Sequence, residues 1–169
     1  MNNPIPTKSL LHTLFQYMRW ADDLMVQAVS TVPDDAYHFP RAISHGSIHS
    51  LLVHAMAAQD VWLRRWQGDG DARIETVAEY PTRATLLVRW PVVHRALFDF
   101  LDHQSDASLS RPVTAKNTYG ERFTLPLGAT MLHVVDHATY HRGQLNSMLK
   151  QAGAQPTAPY LQRYLATLP

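Results

Sequence analysis

Apolar residues recur at spacings of three and four along four stretches of roughly 22 residues each, the period of an amphipathic α-helix. The first runs from about Thr7 to Ser30, with Leu10, Leu14, Tyr17, Ala21, Leu24 and Ala28 in register, and stops near "TVPDD", where Pro33 cannot continue a helix. The second starts at Ser47, a suitable N-cap, and reaches Gly68, a suitable C-terminal stop. The third covers Thr82 to Gln104 and contains Pro91, which predicts a kink there or a later start. The fourth spans Leu127 to Gly153. Between the last two, Val113, Tyr119, Phe123 and Leu125 favour strands around a turn at Asn117 to Gly120, predicting a short hairpin. The tail "TAPYLQRYLATLP" predicts a short terminal helix. Four long helices with such short decorations predict an all-α fold, a single four-helix-bundle domain over residues 1–169.

Composition narrows the chemistry. The 169 residues carry a formal net charge of +1 with the basic residues scattered, which argues against nucleic-acid or membrane-surface binding driven by charge. No apolar run reaches the ~18 residues of a membrane span. The start, "MNNPIPTKSLLHTLF", lacks the basic end, apolar run and cleavage site of a signal peptide, so a cytoplasmic protein is expected. Cysteine is absent, which excludes disulfides, thiolate ligands and a cysteine nucleophile. Ten histidines are the outlying count, so chemistry is expected from histidine, carboxylate or hydroxyl groups.

Three of those histidines lie four residues apart in "HVVDHATYHRGQ". Solvated surface, polar core packing and metal ligation would each account for such a series. Each four-residue step turns a side chain ~40° about the helix axis. Val134, Ala138, Leu145, Met148, Leu149 and Ala152 form the apolar stripe of the fourth helix. His141 falls inside it, His137 at its edge, and His133 ~115° from its centre, near a rim or in solvent. On the second helix the apolar face is Ile48, Leu51, Leu52, Ala55, Ala58, Trp62 and Trp66. His54 borders it, whereas His49 projects to the opposite side with Asp60 and Gln67.

Two histidines at i and i+4 can share one metal ion, and a third from a facing helix leaves a coordination position open. His54, His137 and His141 are therefore the candidate ligands, with polar core packing as the competing reading. Buried histidines without a metal would need other hydrogen-bond partners, and none is evident on this face. Three neutral imidazoles leave a divalent charge uncompensated, so an additional ligand should be acidified or anionic. His12, His38, His45, His94 and His103 read as surface or loop residues. Trp20, Trp62, Trp66 and Trp90 read as core and rim packing. Asp22 and Asp23 read as solvated, although one could reach the site as a base. Gly143, costly inside a helix, suggests a close backbone approach.

"SIHSLLVHAMAAQDVWLRRWQG" and "MLHVVDHATYHRGQLNSML", together with the early "YMRWADDLM", resemble the DinB/YfiT-like family, named for damage-inducible bacterial proteins. The resemblance runs from the first helix through the fourth. It implies a four-helix bundle in an up-down-down-up arrangement with a long crossover. It also implies a metal site built from one histidine of the second helix and an HxxxH pair of the fourth. Matched by motif, those are His54, His137 and His141, the residues the angular argument selects. Zinc or nickel and a homodimer are implied as well. Gln59 departs from the family where relatives often carry an acid, and Asp136 where asparagine is common; both bear on metal tuning.

Some members of the wider superfamily are transferases or isomerases that use low-molecular-weight bacterial thiols. The expected function is thus a divalent-metal-binding protein, with metal-dependent thiol S-transfer to a small-molecule substrate as the leading activity. An external thiol would supply the sulfur that the chain lacks. Arg142, Gln144 or Asp23 could orient substrate, and no catalytic residue is assigned. Metal-assisted hydrolysis is the alternative enzyme class, disfavoured by the lack of an HExxH-type glutamate. A non-enzymatic, stress-associated metal-binding role is the third.

Overall fold

The computed structural model describes residues 5–42, 45–117 and 119–169. Four long helices make the body: α1 (Lys8–Ser30), α3 (Ile48–Trp66), α4 (Arg83–Asp102) and α5 (Leu127–Gln151). Two short helices, α2 (Asp34–His38) and α6 (Leu161–Leu165), flank them, and strands β1 (Pro112–Lys116) and β2 (Arg122–Pro126) form an antiparallel hairpin with Thr114 opposite Thr124. Local chemistry starts the helices where the sequence predicts. The hydroxyls of Thr7, Ser47 and Thr82 each accept a backbone N–H of the first turn of α1, α3 and α4. Gly68 and Gly153, with φ of 110° and 70°, take the left-handed conformation beyond the ends of α3 and α5.

Pro91 neither ends nor delays α4, which begins at Arg83 and continues through it. The pyrrolidine ring lies on the exposed side of the helix, where water can replace the hydrogen bond it forgoes. The sequence pattern does not anticipate α2. Its five residues are too few to show a period, and the helix is held by packing Tyr37, fully buried, against α3.

Packing runs round the bundle in the order α1, α5, α3, α4. The chain ends fix the directions. Lys8 at the start of α1 bonds to Asp102 at the end of α4, while Arg83 at the start of α4 bonds to the carbonyls of Val29 and Val32 at the end of α1. Trp66 at the end of α3 reaches Thr130 at the start of α5 and stacks on Phe100 near the end of α4. The helices therefore run up, down, down and up, and the parallel pair α3 and α4 is joined by the crossover 67–82.

The buried face of α1 is Leu11, Phe15, Met18, Ala21, Met25 and Val29; of the expected stripe, Tyr17 and Ala21 are buried, whereas Leu10, Leu14, Leu24 and Ala28 are not. Leu10 is 49% exposed. Apolar residues line two sides of α1. The bulkier set fills the bundle, whereas Tyr17 and Trp20 meet Tyr164 of α6 and Tyr17 Oη donates to the Pro159 carbonyl. The faces expected for α3 and α5 are those found in the core, with Ala55 and Ala152 only partly buried.

Candidate metal centre

Helices α3 and α5 pack antiparallel and bring His54 against the HxxxH pair. His137 Nε2 lies 3.3 Å from His54 Nε2 and 3.1 Å from His141 Nε2. His141 is buried, and His54 and His137 are half-buried. His133 sits at the rim, exposed, its ring centroid 5.2 Å from that of Trp62 and 5.9 Å from that of His137. The angular reading of α5 thus holds for all three positions, since a regular helix delivers the rotation that spacing implies.

The spacing of the nitrogens has a chemical meaning. A tetrahedral ion with metal–nitrogen bonds of about 2.0–2.1 Å holds its nitrogens about 3.3–3.4 Å apart. Gln144 fixes which nitrogen His141 offers. Its amide oxygen accepts from Nδ1–H at 2.7 Å, so neutral His141 presents the Nε2 lone pair to the cluster. Burial lowers all these imidazoles. It pushes His54 down to about 3 and His137 down to about 4, reinforced by the neighbouring rings, and lowers His141 against the opposing Gln144 hydrogen bond. At these distances neighbouring neutral imidazoles can share a proton as a hydrogen bond, or, with that proton on the outer nitrogen, turn their lone pairs together onto a cation. The residues present fit a divalent metal.

A fourth histidine joins the cluster. His45, expected as an ordinary loop residue, does lie in the loop before α3, but its ring stacks on His54 with centroids 3.9 Å apart. One nitrogen each from His45, His54 and His141 lie within 4.8 Å of one another. Helical periodicity says nothing about a loop side chain, so only the tertiary fold could supply this contact. The sole sequence cue is the turn signal at Gly46 and the Ser47 cap directly after it.

Beneath the histidines lies a charged network that the sequence reading placed in solvent. Asp22 is 3% and His94 6% exposed. The Asp22 carboxylate accepts from Arg142 Nη1 at 3.0 Å, Gln59 Nε2 at 2.8 Å and His94 Nε2 at 3.2 Å. Arg142 also donates to Thr139 Oγ1, and its guanidinium lies over the Tyr17 ring. It is thus committed to the core rather than free to meet a substrate, and Gln144 holds a histidine. Burial by itself would raise the Asp22 carboxyl. The His94 hydrogen bond, the Arg142 charge and the Gln59 amide outweigh it and hold the group below the usual carboxylate range. Asp23 is exposed. Gln59, one of the two departures from the family pattern that the resemblance implies, is a partner of this network, and Asp136, the other, is exposed. His49 does point away from His54, yet it too is buried, between the Tyr37 hydroxyl and the Tyr80 carbonyl. Gly143 faces open space, so the expected close approach is absent there. It occurs instead at Gly128, where an added Cβ would lie 3.0 Å from Pro6 Cδ.

The family model described as "DinB family" matches residues 1–167. The chain belongs to the DinB family. A similar relative is the protein named DinB from Bacillus subtilis (strain 168), 27% identical over 146 residues that cover 83% of this chain and 84% of the relative. Among solved structures, a DinB-like protein from Bacillus cereus ATCC 10987 is similar with a TM-score of 0.65 and 17% identity, covering 87% of this chain and 95% of that one. That likeness bears on the fold. Among the described residues, no helix of this DinB-family chain is long and apolar enough to cross a membrane.

Proposed function

We propose that this DinB-family protein binds a divalent metal ion, zinc or nickel, through His54, His137 and His141, and uses it in thiol S-transfer to a small electrophile. The observation that carries the reading is that His137 Nε2 lies 3.3 Å from His54 Nε2 and 3.1 Å from His141 Nε2, separations close to those of two ligands on one tetrahedral metal ion. An ion bound there supplies a Lewis acid that lowers the pKa of a coordinated thiol. The chain does the rest. His54, His137 and His141 hold the ion and leave a position for an outside thiol, as a chain without cysteine requires. Gln144 keeps the His141 proton on Nδ1 and the lone pair inward. Among the described residues, the hydrogen bonds of the three candidate ligands run to one another and to Gln144, none to a carboxylate. That favours a thiol, which can bind already ionised, over a water that needs a general base. A homodimer, which the family resemblance implies, and a cytoplasmic location, expected from the sequence pattern, belong to the same reading.

The test is metal content of untagged protein beside His54→Ala, His137→Ala, His141→Ala and, as control, His133→Ala. Near-stoichiometric metal in the wild type and control, lost in the three variants, is expected. Saturable turnover of an alkyl halide or epoxide that needs both metal and added thiol should follow. Folded protein that stays metal-free after incubation with zinc or nickel sinks the metal reading. Turnover without thiol replaces transfer by hydrolysis, and metal without turnover leaves a metal-binding protein.

A further inference from the structure

His45 is the one histidine of the cluster that the expected ligand set leaves out. We infer that His45 supplies a fourth nitrogen to the site, so that the resting metal is held by four imidazoles and an incoming thiol must displace the one on the loop. This rests on the metal-binding reading above. The His45 ring lies nearly parallel to that of His54, 21° between planes, and its centroid is 5.3 Å from that of His141. Its nitrogen is within 4.8 Å of nitrogens of both, against the roughly 3.3–3.4 Å separation of ligands round a tetrahedral ion. Against His54 and His141 the gap to be closed is at most about 1.5 Å, within reach of a rotation about χ1 and χ2.

The backbone around His45 is built to present it. Gly46 adopts φ of +84°, a conformation a side chain would resist, and Ser47 then caps α3. Gly46 also accepts a hydrogen bond from the backbone N–H of Arg41. The Arg41 guanidinium donates to the carbonyls of Ala36 and Phe39, tying the same region to α2. His54 sits in the second turn of α3, so this return brings a residue from before the helix onto its flank. A residue held only by a loop is the ligand that leaves at the lowest cost. His54, His137 and His141 each stand on a packed helix and stay.

Cobalt(II) is the probe, because its visible absorption reports coordination number without any turnover. Wild type, His45→Ala, His45→Gln and the control His133→Ala are loaded with cobalt(II) and titrated with 2-mercaptoethanol. For His45→Ala we expect a weaker, shifted visible spectrum, as water replaces a nitrogen. Cobalt affinity against a competing chelator should fall about tenfold or more, a loss at least as large as that for an outer-shell partner. The thiolate-to-cobalt band should appear at a lower thiol concentration, because no imidazole has to be displaced. His45→Gln guards against a loop disturbed by the smaller residue, and should show the same spectral change. Spectrum, affinity and thiol dependence that match wild type in both variants overturn the role of His45 and leave the three-histidine site standing. A wild-type protein that takes up no cobalt overturns both readings.

Discussion

The Arg142 guanidinium meets the Asp22 carboxylate at 3.0 Å inside the bundle, one residue beyond His141, with both side chains at most 5% exposed. This pair ties α5 to α1, and the same carboxylate also accepts from Gln59 of α3. The rotation of α5 that aims His137 and His141 at His54 is thereby set by a charge contact as well as by apolar packing.

Removing the charge should therefore be felt in both stability and metal binding. Asp22→Asn leaves Arg142 buried without a counter-charge and turns one acceptor toward donors as an amide N–H₂. A loss of about 3–5 kcal/mol is expected, read by urea unfolding of the metal-free protein. A change within half a kcal/mol would show that the network contributes nothing net.

The same carboxylate predicts an acid dependence. Its folded pKa lies below its ordinary value of 3.8, so the unfolded state binds the proton more readily. The stabilisation it provides is complete above pH ~4 and declines as pH falls through the folded pKa. The stability gap between wild type and Asp22→Asn should stay constant from pH 7 to 4.5 and narrow below pH ~3.8. A gap that widens on acidification would show that the sign is wrong.

Gln144 acts on the site through His141. Gln144→Ala removes the acceptor that keeps the proton on Nδ1, so the Nε2 lone pair is no longer favoured. Metal affinity should drop about 10–100-fold with little change in the unfolding midpoint of the metal-free protein. Chelator competition and thermal unfolding on one sample separate the two effects. Unchanged affinity would reduce Gln144 to packing.

Gly143 lies between these residues yet meets nothing. Because an added Cβ finds open space, Gly143→Ala should stabilise α5 by about 0.5–1 kcal/mol. For a chain of this size that is a rise of about 1–4 °C in Tm, measurable by calorimetry, with metal stoichiometry unchanged. Destabilisation would mean that a partner needs the glycine.

The sequence by itself determined the four long helices and, for α3, the Ser47 cap and the Gly68 stop, because caps and 3.6-residue periodicity are local properties of the chain. It also determined that His137 and His141 share the inward side of α5 with His133 at its rim, since rotation along one helix follows from spacing. Only the tertiary structure decided which side of α1 is buried, because apolar residues line two of its sides and the choice depends on what else packs there. It decided as well that Asp22, His94 and Arg142 form one buried network. Each is polar, and only partners distant in sequence make its burial tolerable. Last, it decided that His45 lies against His54, because a loop has no period, and its reach is set by the packed elements at either end.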